Sequence, residues 1–272
     1  MARKRSTYGI VKAAIGASAF LLTTSAAHAE MATFATFTSI DQVKNVSLVN
    51  AGGSTLGATI YSTSTGTANG PGAVKVQFGF LQAGLSDFVS NITADFTLDG
   101  TIVEPASEMG SNLFQPVFVG TMSFKTTSVI TLTGPLFETK TFDVGSNLLT
   151  VSFNGAISGS RNGSTANFNG STGANDTVLF TSDFLDFSFV TERDYATTLN
   201  AITPRLSLGA NGSFNSFRAT IGGSFSSDPA PILVGTVPEP ASWTLMITGF
   251  MMLGAALRQG RKNGTFSSIT KI

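Results

Sequence analysis

The hydrophobic pattern changes character along the chain. Residues 13–22 (AAIGASAFLL) and 243–257 (WTLMITGFMMLGAAL) are continuous apolar runs, whereas between them apolar and polar residues alternate. Alternation with period two marks a strand that buries one face. At 73–80 the residues Val74, Val76, Phe78 and Phe80 share a face, and at 92–98 the set is Ile92, Ala94, Phe96 and Leu98. Leu149, Val151, Phe153 and then Leu185, Phe187, Phe189 repeat the pattern. Asn69-Gly70, Asp99-Gly100, Asn154-Gly155, Asn162-Gly163, Asn169-Gly170 and Asn211-Gly212 predict turns, because both central residues of a type I′ hairpin need positive φ. Residues 62–70 and 158–173, rich in Ser, Thr, Gly and Asn, read as loops or hairpin tips, and 226–237 as a linker. No sustained 3.6-residue period accompanies the strands. The prediction for residues 30–225 is an all-β fold, an antiparallel β-sandwich of jelly-roll type.

Composition sharpens this picture. Twenty of the 23 phenylalanines fall in the strand-rich body. Phe fills a core without needing a polar partner, so these rings are expected inside rather than in a binding strip. The formal net charge is zero, but the charges are unevenly placed. Between Glu30 and Val237 there are 8 basic and 15 acidic residues, a charge of −7. Such a body does not suit a phosphate backbone, and nucleic acid is excluded as a partner. There is no cysteine, hence no disulfide framework.

The two apolar runs belong to recognisable ends. Arg3, Lys4, Arg5 and Lys12 precede the first run, which at 10 residues is too short to span a bilayer. Ala27-His28-Ala29 follows as a small-x-small cleavage site, so residues 1–29 read as a signal peptide removed by signal peptidase between Ala29 and Glu30. The only histidine, His28, leaves with it. The mature chain then has neither His nor Cys, which excludes Ser-His triads, Cys-His dyads and His-based zinc sites.

At the other end Val237-Pro238-Glu239-Pro240-Ala241-Ser242-Trp243 leads into the second apolar run, which Arg258, Arg261 and Lys262 close. Two prolines around a glutamate prevent helix or strand pairing and hold the backbone extended. The 15 uncharged residues that follow would span about 22 Å as a helix. Trp243 suits one membrane interface and the basic cluster the cytoplasmic one. Residues 238–262 resemble the PEP-CTERM sorting signal, in the variant with a tryptophan three residues after the second proline. Thr244 stands where that variant usually has alanine, and a tail of residues 263–272 follows the basic stop.

The resemblance implies a transient inner-membrane helix recognised by an exosortase at Pro238, Glu239, Pro240 and Trp243, with Arg258, Arg261 and Lys262 as the stop. It further implies an exported protein released to, or fixed at, the cell surface, with exopolysaccharide as a possible partner. The expected function is that of a surface or extracellular-matrix protein without catalytic activity or cofactor.

Two other classes stand beside it. One is a binding module for glycan, calcium or an ice surface. Asp95, Asp99, Asn175 and Asp176 offer oxygen ligands for calcium, and Thr63 and Thr65 alternate as an ice-binding array would. The other is a glycosidase with two carboxylates across a sugar site, for which Asp183 with Asp186 or Glu192 with Asp194 are candidates. On a strand Asp183 and Asp186 would face opposite ways, Glu192 and Asp194 would share a face but look like a solvated turn, and the body has no Trp and only Tyr61 and Tyr195 for sugar stacking.

Overall fold

The computed structural model describes residues 31–40, 44–64, 72–134, 137–172, 177–234 and 247–253. The residues read as a signal peptide, with Ala27 and Ala29, those read as a sorting motif, Pro238, Glu239, Pro240 and Trp243, and those read as its stop, Arg258, Arg261 and Lys262, lie outside the described residues, as do Thr65, Asn69-Gly70, Asn175 and Asp176.

The body is antiparallel β-structure, as the alternation predicts. Its strands are β1 (Ala32–Ser39), β2 (Val46–Asn50), β3 (Ala58–Ser62), β4 (Val74–Phe80), β5 (Ile92–Ile102), β6 (Ser107–Met109), β7 (Asn112–Thr126) and β8 (Ile130–Gly134). They continue as β9 (Phe137–Phe142), β10 (Asn147–Ser160), β11 (Ala166–Ser171), β12 (Val178–Thr181), β13 (Leu185–Asp186), β14 (Glu192–Thr203), β15 (Phe217–Asp228) and β16 (Ile232–Leu233).

Eight of these strands form a closed circuit, β4–β5–β7–β10–β11–β14–β15–β1 and back to β4. The hairpin β2–β3 joins β15 to β5 a second time, at the opposite end from β1–β4. Neighbours in the circuit follow one another along the chain, apart from β1, so the order is that of a meander closed on itself rather than the crossing order of a jelly roll. Pairing also runs past residue 225, through Asp228 in β15 and again at β16, into the stretch read as a linker.

One interior takes up the apolar face of every wall strand. Sixteen of the twenty body phenylalanines are buried. Phe124 lies near the middle, with ring centroids at 4.8 Å from Phe37, 5.0 Å from Phe96 and 5.1 Å from Phe78. Edge-to-face and offset pairs at such distances add to simple area burial. The expected face Leu185, Phe187, Phe189 does not hold, because the strand ends at Asp186 and Phe189 turns out to solvent, 69% exposed.

Several Xaa-Gly pairs do not make turns. Asn162-Gly163 lies in the β10–β11 hairpin, with Asn162 at φ 59°, and Gly212 of Asn211-Gly212 has φ 78°. Asp99-Gly100, Asn154-Gly155 and Asn169-Gly170 instead sit inside β5, β10 and β11. Their glycines answer a need for space. A Cβ on Gly155 would lie 2.0 Å from the Tyr195 hydroxyl oxygen, and one on Gly170 would lie 2.6 Å from Tyr195 Cε1. The Tyr195 ring on β14 therefore rests where two neighbouring strands carry no side chain. Of 158–173, read as a loop or hairpin tip, the tip of the β10–β11 hairpin is 161–165, and 158–160 and 166–171 are strand.

Candidate functional site

The outward faces of the wall carry many Ser and Thr residues, interrupted by exposed Phe114, Val119 and Leu179. One cross-strand row runs Thr97, Ser123, Thr150, Thr181 over β5, β7, β10 and β12. The Thr150 hydroxyl donates to Ser123 Oγ at 3.4 Å and to Asn147 Oδ1 at 2.8 Å. Thr63, one of the two threonines considered for an array, is buried.

Of the carboxylates singled out from the sequence, Asp95, Asp183 and Asp186 are occupied, whereas Glu192 and Asp194 share one face of β14. Asp95 and Asp99 share one face of β5 four residues apart, about 13 Å along a strand. Asp95 is paired with Lys75 at 2.6 Å. Asp183 accepts the Asn147 backbone N–H at 2.7 Å, tying its segment to the start of β10, and Asp186 accepts that of Ser188 at 2.8 Å, holding a local bend. Glu192 and Asp194 lie on β14 rather than in a solvated turn. Burial pushes the Asp194 carboxyl above its ordinary value. Among the described residues no three His, Cys, Asp or Glu side chains gather as a metal site would require.

The wall has one break. β11 is bonded to β10 on one side and β14 on the other, and this pairing ends where the Thr172 N–H donates to the Arg193 carbonyl and the Arg193 N–H donates to the Thr172 hydroxyl oxygen. The chain then rejoins β10 as β12, and among the described residues β12 is bonded to β10 alone. Among the described residues no strand pairing joins β12 to β14 at this end, although the two strands run close to each other. The following segment crosses the gap. Ser182 fastens it, donating to the Leu148 carbonyl at 2.6 Å while accepting the N–H of Phe184 at 3.0 Å. β13 then pairs with β16, and Val234 N–H reaches the Phe184 carbonyl at 3.0 Å.

The crossing leaves a recess of about 460 Å³ whose lining includes Phe180, Leu185, Phe187, Val234, Asp186 and Arg193. Arg193 is half-buried. Its Nη2 donates to the Phe187 carbonyl at 3.3 Å, and its buried Nε has no partner among the described residues. The ion pairs among the described residues are Lys75–Asp95 and Arg161–Glu108, so Arg193 is not neutralised by a carboxylate there.

Sequence reasoning missed this recess. Its one signal was local: Arg193 opens the inward set Tyr195, Thr197, Leu199, Ile202, where a charge breaks the apolar face. That β12 lacks a partner opposite it depends on pairing, which no local pattern carries.

Beyond the wall, residues 247–253 form a short helix inside the second apolar run. Ile247, Phe250, Met251, Met252 and Leu253 on it are all more than half exposed. No helix among the described residues is long and apolar enough to cross a membrane. Comparison of the chain with protein-family models, with curated proteins and with solved structures returned no match.

Proposed function

We propose that this chain is an exported surface or extracellular-matrix protein without catalytic activity, sorted through its C-terminal tail. Signal peptidase removes residues 1–29. The apolar run at 243–257 holds the protein in the inner membrane while an exosortase engages Pro238, Glu239, Pro240 and Trp243, with Arg258, Arg261 and Lys262 on the cytoplasmic side. The closed β-domain is the cargo delivered to the cell exterior, where exopolysaccharide is a candidate neighbour.

The observation that carries this reading is the exposure of the tail helix. Five large apolar side chains within seven residues stand in solvent, while the body buries residues of the same kinds. A helix built to pack on its own domain would turn an apolar stripe inward. An apolar surface on all sides is what a helix surrounded by lipid presents. The joint presence of a Pro-Glu-Pro lead and a basic stop then favours sorting over simple anchoring.

The test is intact mass and cell fractionation in the native host, for the wild type and for the triple substitution Pro238→Ala, Glu239→Ala, Pro240→Ala. The expected wild-type product begins at Glu30, lacks the residues after the motif and leaves the inner membrane, while the variant stays there. Full tails and membrane residence in both would replace sorting with permanent anchoring. A second reading, in which the exported domain binds a ligand at its open seam, draws on the recess beside Arg193.

A further inference from the structure

We infer that the recess between β12 and β14 is a binding site for the carboxylate of a small organic acid, with Arg193 as the residue that receives it. This deepens the binding-module reading and does not depend on how the protein is sorted.

Arg193 occupies the last inward position of β14 before the wall opens. Its register partner on β15 is Ser227, which is fully buried, and the next inward residue, Tyr195, faces Phe225 in the core. A guanidinium at such a place is partly withdrawn from water and needs compensation. Among the described residues it has one neutral carbonyl at 3.3 Å, at the long edge of hydrogen-bond geometry, and nothing at Nε. The planar fork of arginine is completed best by a carboxylate, which accepts two parallel charge-assisted hydrogen bonds.

The rest of the lining defines the body of the ligand and its charge. Phe180, Leu185 and Phe187 are buried and, with half-buried Val234, give the recess a small apolar floor, so a ligand held by Arg193 would rest on it with much of its skeleton in solvent. Asp186 also lines the recess. Its Oδ1 is held by the Ser188 N–H, and its negative charge opposes a second anion nearby. A dianionic phosphate would suffer that repulsion twice over, whereas a monocarboxylate meets it once. The Ser182 hydroxyl is spent on holding the crossing segment, so the ligand's anchor is the arginine.

The experiment uses the full chain in detergent at low ionic strength, titrated by calorimetry with benzoate, glucuronate and the neutral isostere benzamide. Saturable millimolar binding of a carboxylate, with benzamide weaker by about tenfold or more, is expected from the loss of a charge-assisted pair. Whichever of benzoate and glucuronate binds tighter identifies the source as an aromatic or a sugar acid. Arg193→Gln should weaken the preferred carboxylate by about tenfold or more, with Arg193→Lys in between. Asp186→Asn keeps the side-chain oxygen that accepts from Ser188 and removes the competing charge, so it should tighten carboxylate binding severalfold. Equal affinity for benzoate and benzamide, or no saturable binding in both wild type and Asp186→Asn, overturns the site. Should Arg193→Gln fail to fold, Asp186→Asn decides, and unchanged or weaker carboxylate binding in it is the contrary result.

Discussion

Phe225 and Phe250 belong to the same chain and meet opposite fates. Phe225 is 0% exposed in the barrel and Phe250 is 70% exposed on the tail helix, and Met122 and Met251 differ in the same way, at 0% and 71%. Burying such a side chain is worth roughly 1.5–3 kcal/mol. In the barrel that gain is realised inside the protein. On the tail helix the protein offers no such surface among the described residues, and the account assigns the role to lipid. Under the proposed function, Phe and Met serve folding in one region and location in the other.

Mutations should separate the two roles. The largest effect is expected from Phe124→Ala in the aromatic centre, a loss of about 3–5 kcal/mol of stability. Phe250→Ala should leave the unfolding midpoint of the barrel where it is. Denaturation monitored by circular dichroism checks both, and comparable losses would mean that the tail packs on the body. Next comes Gly155→Ala, whose new methyl group would overlap the Tyr195 hydroxyl. Overpacking of this kind costs roughly 1–3 kcal/mol. Combining it with Tyr195→Phe should recover part of the loss, a coupling that a double-mutant cycle measures.

Smaller effects come from the outer surface. Lys75→Ala removes an exposed ion pair with Asp95 and should cost less than about 1 kcal/mol, with most of that lost in high salt. Asp194→Asn should give the smallest effect and the opposite sign. Burial raises the Asp194 pKa in the folded state above the ordinary 3.8. Its favourable contribution is then complete below that value and is lost as pH rises through the raised folded value. The Asn variant should therefore be slightly more stable than wild type at neutral pH and gain nothing below pH 3.8, as stability curves at the two pH values would show.

The strands with one buried face were legible because alternation is local. Val74, Val76, Phe78 and Phe80 in β4, and Leu149, Val151 and Phe153 in β10, fill the core as their spacing predicts. What was not legible depends on partners distant in sequence. Gly100, Gly155 and Gly170 follow Asp or Asn and resemble turn residues, but their small size serves Ile60 and Tyr195 across the sheet. The order of strands was hidden for a related reason: β1 closes the circuit by pairing with β15, nearly two hundred residues away. The recess at Arg193 lies where β12, among the described residues, is paired on one side alone, a property of the assembled wall rather than of any segment. The sorting motif lies at the opposite extreme, read wholly from sequence and outside the described residues.

The central claim is that the tail helix finds its apolar partner in the membrane. It is tested most directly by a photoactivatable label carried on lipid acyl chains, applied to membranes holding the Pro238→Ala, Glu239→Ala, Pro240→Ala variant, with the sites then mapped by mass spectrometry. The account predicts labelling at Phe250, Met251 and Met252 and none in β1 to β16. An unlabelled tail, or a labelled barrel wall, would contradict it.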